Sequence, residues 1–145
     1  MSTYIPPIVT VDGVIFQIIN NQLSVLLIRR TNQPFKGQLA LPGGYNGAGQ
    51  TTRECLTSVL DKKAGITAKQ LKLTEQLYTF DTVARDPRGH AVSVTYMGLG
   101  KDIVPSAGET TQMPEFYPVD ELPELAYDHA DIIKYARERL AAKIT

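Results

Sequence analysis

Residues Ile8 to Ile19 are dense in β-branched and apolar side chains, Asn20-Asn21 is a turn signal, and Leu23 to Ile28 is a second apolar run; the pattern predicts a β-hairpin. Arg29-Arg30 closes the second strand. Pro34 and Gly37 mark a loop over 31–38, a short strand is expected at Leu39 to Leu41, and Pro42-Gly43-Gly44 then breaks the chain. Gly47 and Gly49 continue a glycine-studded loop. Helical spacing begins after Thr51, which with Glu54 three residues later fits a capping box, and Leu56, Val59 and Leu60 supply the apolar face up to a stop at Gly65. Strand-like stretches follow at Leu71 to Phe80 and Ala91 to Leu99, side by side across a polar turn holding Asp86-Pro87-Arg88-Gly89. A last helix is expected from Asp128 as N-cap through Ile132, Ile133, Ala136 and Leu140. Mixed strands with two helices at separate points predict an α/β sandwich.

Composition narrows the partners. A chain of 145 residues with 43% hydrophobic content has the usual size of one domain around one core, so a single domain over 1–145 is expected. Lys+Arg and Asp+Glu both number 15, which leaves no basic footprint for a nucleic-acid backbone or an anionic membrane. The lone Cys55 cannot form an internal disulfide, and neither a leader nor an apolar run of membrane-spanning length is present. The expectation is a reduced cytoplasmic protein with a buried structural thiol.

The segment Gly37-Gln38-Leu39-Ala40-Leu41-Pro42-Gly43-Gly44, a loop, a helix and then Ala64-Gly65-Ile66 resembles the Nudix family, whose box reads G-x5-E-x7-R-E-U-x-E-E-x-G-U. Gly44, Leu60, Gly65 and Ile66 fall on its first glycine, middle apolar site, closing glycine and final apolar residue. The resemblance continues through Tyr78-Thr79-Phe80, 85–90, 116–123 and Leu125-Ala126-Tyr127-Asp128-His129, which look like the subgroup that recognises ADP-ribose. It implies an α/β/α sandwich with a mixed sheet. That subgroup includes hydrolases and also NrtR-type transcription regulators, whose Nudix domain senses ADP-ribose ahead of a winged helix-turn-helix domain. The chain ends near where such a second domain would begin, so a standalone sensor and a part of a regulator are both open. Such domains often form homodimers, to which the apolar amino-terminal strand can contribute.

Departures from the box carry the functional expectation. Gln50 stands at its first glutamate, Ser58 at the arginine, and Val59, Lys62 and Lys63 at the other three glutamates. In the family those acids hold Mg²⁺ and help position or deprotonate water, and a hard dication needs such oxygen donors to replace its hydration. A divalent ion ~4 Å from one ammonium is repelled by roughly 2 kcal/mol even at water's dielectric constant. Residues 59, 62 and 63 are expected on one helical face, aiming both lysines at the metal's place. No metal cofactor is therefore expected. The lysines either neutralise a diphosphate directly or simply end a helix where its dipole favours cations.

Other candidates stand beside them. Gly43, Gly44, Gly47 and Gly49 either admit phosphate close to the backbone or only turn the chain. Arg85, Asp86 and Arg88 either close over a ribose or phosphate or form a charged hairpin tip. Of Arg29 and Arg30, one is expected to meet phosphate and the other solvent, and His129 is read as structural rather than proton-transferring. Three function classes follow: a nucleotide-binding Nudix domain without hydrolysis, which we favour; a Mg²⁺-dependent hydrolase rebuilding its site from acids outside the box such as Glu54, Glu109 or Glu115; and the ligand-sensing module of a regulator. Glu54 is better explained as the capping-box acid.

Overall fold

The structure is a computed structural model and describes residues 3–107 and 112–144. Seven strands form one mixed sheet: β1 (Ile8–Ile19), β2 (Gln22–Arg29), β3 (Leu39–Ala40), β4 (Gly43–Tyr45), β5 (Leu71–Phe80), β6 (Ala91–Gly100) and β7 (Gln112–Pro118). Helix α1 (Thr52–Ala64) precedes β5, and helix α2 (His129–Ile144) follows β7. β1 runs parallel to β6, the other strand pairs are antiparallel, and an isolated parallel bridge joins Leu39 to Leu125. No described helix is long and apolar enough to cross a membrane.

Strand alternation divides the core into two layers. Val14 and Phe16 of β1 with Val25 and Leu27 of β2 pack against Ile132, Ile133, Ala136 and Leu140 of α2. Their neighbours Val11, Ile15 and Leu26 point the other way, onto Leu56, Val59, Leu60 and Ala64 of α1. The sheet thus lies between two helices, the α/β sandwich that the sequence predicts. Helix α1 begins with the expected capping box: Thr51 Oγ1 accepts from Glu54 N–H at 3.1 Å and Glu54 Oε1 accepts from Thr51 N–H at 2.9 Å. Gly65 ends it at φ 65°, in the left-handed conformation that glycine adopts without steric cost.

Two strands go beyond the predicted elements. β4 lies where only a chain break is predicted, and β7 lies in a segment with no strand signal. β4 exists because β1 and β2 pair only near their turn, from Phe16↔Val25 to Ile19↔Gln22, and then part. On the widening side, β4 takes up β1 at Thr10↔Tyr45 to Asp12↔Gly43, while β3 takes up β2 at Ile28↔Ala40 and Arg29↔Leu39. Leu41 and Pro42 bridge this fork, and Pro42 C=O accepts from Gly13 N–H at 3.0 Å. β7 lines the outer side of β2, where an edge position tolerates its two prolines.

Candidate functional site

The fork opens into a cleft of about 370 Å³. β1 contributes Thr10 and Asp12, β2 contributes Ile28, the position just past β2 contributes Arg30, and the fork itself Leu41, Gly43, Gly44 and Tyr45. Lys63 reaches it from α1, Arg85, Asp86 and Arg88 from the β5–β6 turn, and Tyr127 and His129 from the start of α2. Four cations therefore line the cleft against two carboxylates, a balance that favours an anionic ligand.

Asp12 anchors the floor. Its side chain lies on the α2 face of β1 with only 6% exposure, and a buried carboxylate needs partners there. Ser93 Oγ donates to Asp12 Oδ2 at 2.5 Å and sits 2.7 Å from Thr95 Oγ1. Asp12 Oδ1 presses on Gly43, where a Cβ would fall 2.0 Å from it. His129 faces the same oxygen, Nε2 to Oδ1 at 3.8 Å, while its Nδ1 accepts from Leu41 N–H at 3.0 Å. Accepting that bond requires an unprotonated Nδ1, so the ring is neutral. Full burial holds its pKa below the ordinary 6.5, with Asp12 and Asp128 opposing. The structural reading of His129 fits these bonds.

Lys63 donates to the Gly43 carbonyl. Burial lowers its pKa while Asp12 works to keep the charge. This ammonium occupies the box position at which the family carries a glutamate, and it consumes a backbone oxygen next to Asp12. The family implies a divalent metal ion here, and the residues present do not fit one: a cation already sits among the available oxygens. Among the described residues no group of three or more His, Cys, Asp or Glu side chains is placed to hold a metal.

Lys62 corrects the sequence-based expectation. It is exposed and does not line the cleft, because it sits ~60° back from Val59 around the helix while Lys63 sits ~40° forward. Arg29 is likewise outside the cleft; it is exposed and donates to Gly37 C=O at 2.6 Å. Arg30, one position on, turns the other way, donating through Nε to Pro34 C=O at 2.7 Å. Of the three acids outside the box, Glu54 is the exposed cap, Glu115 is exposed on β7 away from the cleft, and Glu109 lies outside the described residues.

Arg85 is only 9% exposed and makes a two-pronged contact with Asp128, Nε to Oδ2 at 2.9 Å and Nη2 to Oδ1 at 2.7 Å. Burial weighs against its charge, but Asp128 overcomes this and raises its pKa. The Asp128 carboxylate expected to cap α2 is thus engaged in holding the β5–β6 turn against that helix. Arg88 forks onto Asp86, with Nη2 to Oδ2 at 2.7 Å, and Nη1 donates to Tyr45 Oη at 2.7 Å. Its guanidinium lies 5.5 Å from the Tyr45 ring centroid and 5.7 Å from that of Tyr127, whose ring Arg30 approaches at 5.0 Å. Asp12, Tyr45 and Tyr127 are absent from the sequence-based site. Asp12 carried a usable signal: it is the single charge in the apolar run of β1.

The family model described as the NUDIX domain matches residues 9–136. The chain belongs to the Nudix family. An ADP-ribose pyrophosphatase of Methanocaldococcus jannaschii is 38% identical to this Nudix chain over 133 residues, covering 90% of the chain and 73% of that relative. The ADPR responsive transcriptional repressor NtrR of Acinetobacter baylyi is 34% identical over 147 residues, 98% of this chain and 58% of the repressor. The NUDIX domain of Shewanella oneidensis NrtR, solved in complex with ADP ribose, superposes with a TM-score of 0.85 at 32% identity, covering 94% of this Nudix chain and 90% of that one. A MutT/nudix family protein from Enterococcus faecalis gives 0.87 at 27% identity, with 98% and 65% coverage. The chain therefore spans well under two thirds of the repressor's length.

Proposed function

We propose that the cleft binds ADP-ribose or a related nucleoside diphosphate derivative without a metal ion and without hydrolysing it, in a sensing or regulatory role. The observation that carries this reading is Lys63, whose ammonium bonds Gly43 C=O beside Asp12 where a box glutamate would stand. A fixed ammonium can neutralise a diphosphate as a metal would, but it cannot lower the pKa of water to make a nucleophile. Support for the ligand comes from the relatives: a pyrophosphatase named for ADP-ribose, and an NrtR domain solved with ADP ribose. The repressor relative and the structure of Shewanella oneidensis NrtR with a 27mer DNA support a regulatory setting. In that setting this domain reads the nucleotide, and we assign it no DNA contact of its own.

A second reading, hydrolysis of ADP-ribose, is favoured by the 38% identity to the pyrophosphatase. One pair of measurements separates the two. Thermal shift with ADP-ribose, with and without Mg²⁺, is expected to give the same rise in melting temperature in both, and phosphate-release assays with Mg²⁺ or Mn²⁺ are expected to show no cleavage. Metal-dependent turnover refutes the sensor reading in favour of the hydrolase.

A further inference from the structure

Among the described residues, three buried side-chain polar atoms lack a hydrogen-bond or ion-pair partner, Gln38 Oε1, Asn46 Oδ1 and Tyr127 Oη, whereas Glu75 Oε1 is met by Lys143 Nζ at 2.8 Å. Only Tyr127 belongs to the cleft lining. A buried hydroxyl without a partner costs roughly 1–3 kcal/mol, so its retention in a cleft asks what completes it. The residue is also held in a costly backbone conformation, φ 54°, which a non-glycine side chain rarely adopts. The next two residues fix that conformation: Asp128 grips Arg85 and His129 grips Leu41 N–H. The tyrosine is thereby aimed rather than free to turn away.

Its surroundings select the ligand chemistry. Arg30 and Arg88 both lie over the ring, at 5.0 and 5.7 Å from its centroid, and Phe35 meets it edge-on at 4.8 Å. With guanidinium groups on the ring, stacking a nucleobase there would mean displacing a cation, and the hydroxyl is the part of the side chain left without a task. Burial pushes the phenol pKa up against the pull of Arg30 and Arg88, so the group keeps its proton and donates. A donor on a ring approached by two cations, one of them shared with Asp86, prefers an anionic acceptor.

We propose that Tyr127 donates a hydrogen bond to a phosphate oxygen of the ligand, with Arg30 and Arg88 neutralising the charge on that oxygen. This deepens the reading above and rests on a diphosphate entering the cleft. It adds a second phosphate-holding station to Lys63 in the lining of the same cleft. Tyr127→Phe tests it, because the substitution removes no hydrogen bond within the protein. The melting temperature of the unliganded variant is expected to hold or rise, while calorimetry shows about tenfold weaker binding of both ADP-ribose and inorganic pyrophosphate. A merely structural tyrosine gives unchanged affinities, and a hydroxyl that meets the sugar or base gives a loss with ADP-ribose alone; either result overturns the assignment. A parent protein that binds pyrophosphate but not ADP-ribose refutes the nucleotide reading and leaves the pyrophosphate comparison to decide on Tyr127. A parent that binds neither refutes both.

Discussion

At the scale of single residues, Lys63 and Lys62 differ by one position and by everything that matters for the site. Lys63→Ala is expected to weaken ADP-ribose binding by about tenfold or more, the loss of one charge-assisted contact, whereas Lys62→Ala leaves affinity within about twofold, as measured by calorimetry. Equal effects would show that Lys63 holds no phosphate. His129 makes a prediction in pH. Its pKa is depressed in the folded state, so below 6.5 the unfolded chain takes up a proton that the native ring refuses, and stability falls as pH drops. The slope is at most ~1.4 kcal/mol per pH unit for one proton. Urea titrations between pH 6.5 and 5 should show this loss in the parent and a flatter profile in His129→Gln; a flat parent profile contradicts the neutral, buried ring. Asp86 and Glu54 have lowered pKa values and act only in more acidic solution. The sequence pointed to the residue types of the cleft but not to which of two adjacent cations enters it. That choice depends on the strand face and helix rotation relative to a fork that local patterning does not reveal.

Among the elements, those with their own periodicity were legible and those made by their neighbours were not. The β1–β2 hairpin, α1 with both of its ends, the β5–β6 pair and α2 follow from apolar spacing and turn residues. β4 has glycines at two of its three positions and is a strand only because β1 needs a partner past Phe16. β7 carries two prolines in seven residues, which argue against a strand until its place at the edge is known. The end of α1 gives a test at this level. Gly65→Ala puts a Cβ on a left-handed residue and 2.0 Å from Ser106 Oγ. The serine can rotate but the backbone cannot, so a loss of roughly 1–2 kcal/mol is expected in chemical denaturation, with ADP-ribose affinity unchanged.

For the molecule as a whole, the cleft is a meeting point of segments far apart in sequence: β1, the end of β2, the fork, α1, the β5–β6 turn and the start of α2. A ligand that touches all of them stabilises the fold globally, by ~2.7 kcal/mol at a hundredfold excess over Kd, and the melting transition should move as one. The Arg85–Asp128 clasp ties the turn to the residue that precedes α2, so Arg85→Ala is expected both to lower the unliganded melting temperature and to reduce the ligand-induced shift. A variant that melts earlier yet keeps the full shift would mean that the turn does not take part in binding. The parting of β1 and β2 has one more implication. The two strands part beyond the Phe16–Val25 pair, which is fully buried in apolar packing and outside the lining of the cleft, so the width of the mouth is governed from the opposite end, as the rivet of a pair of tongs governs its jaws. Altered bulk at that pair should retune which ligands fit without touching a residue that meets them.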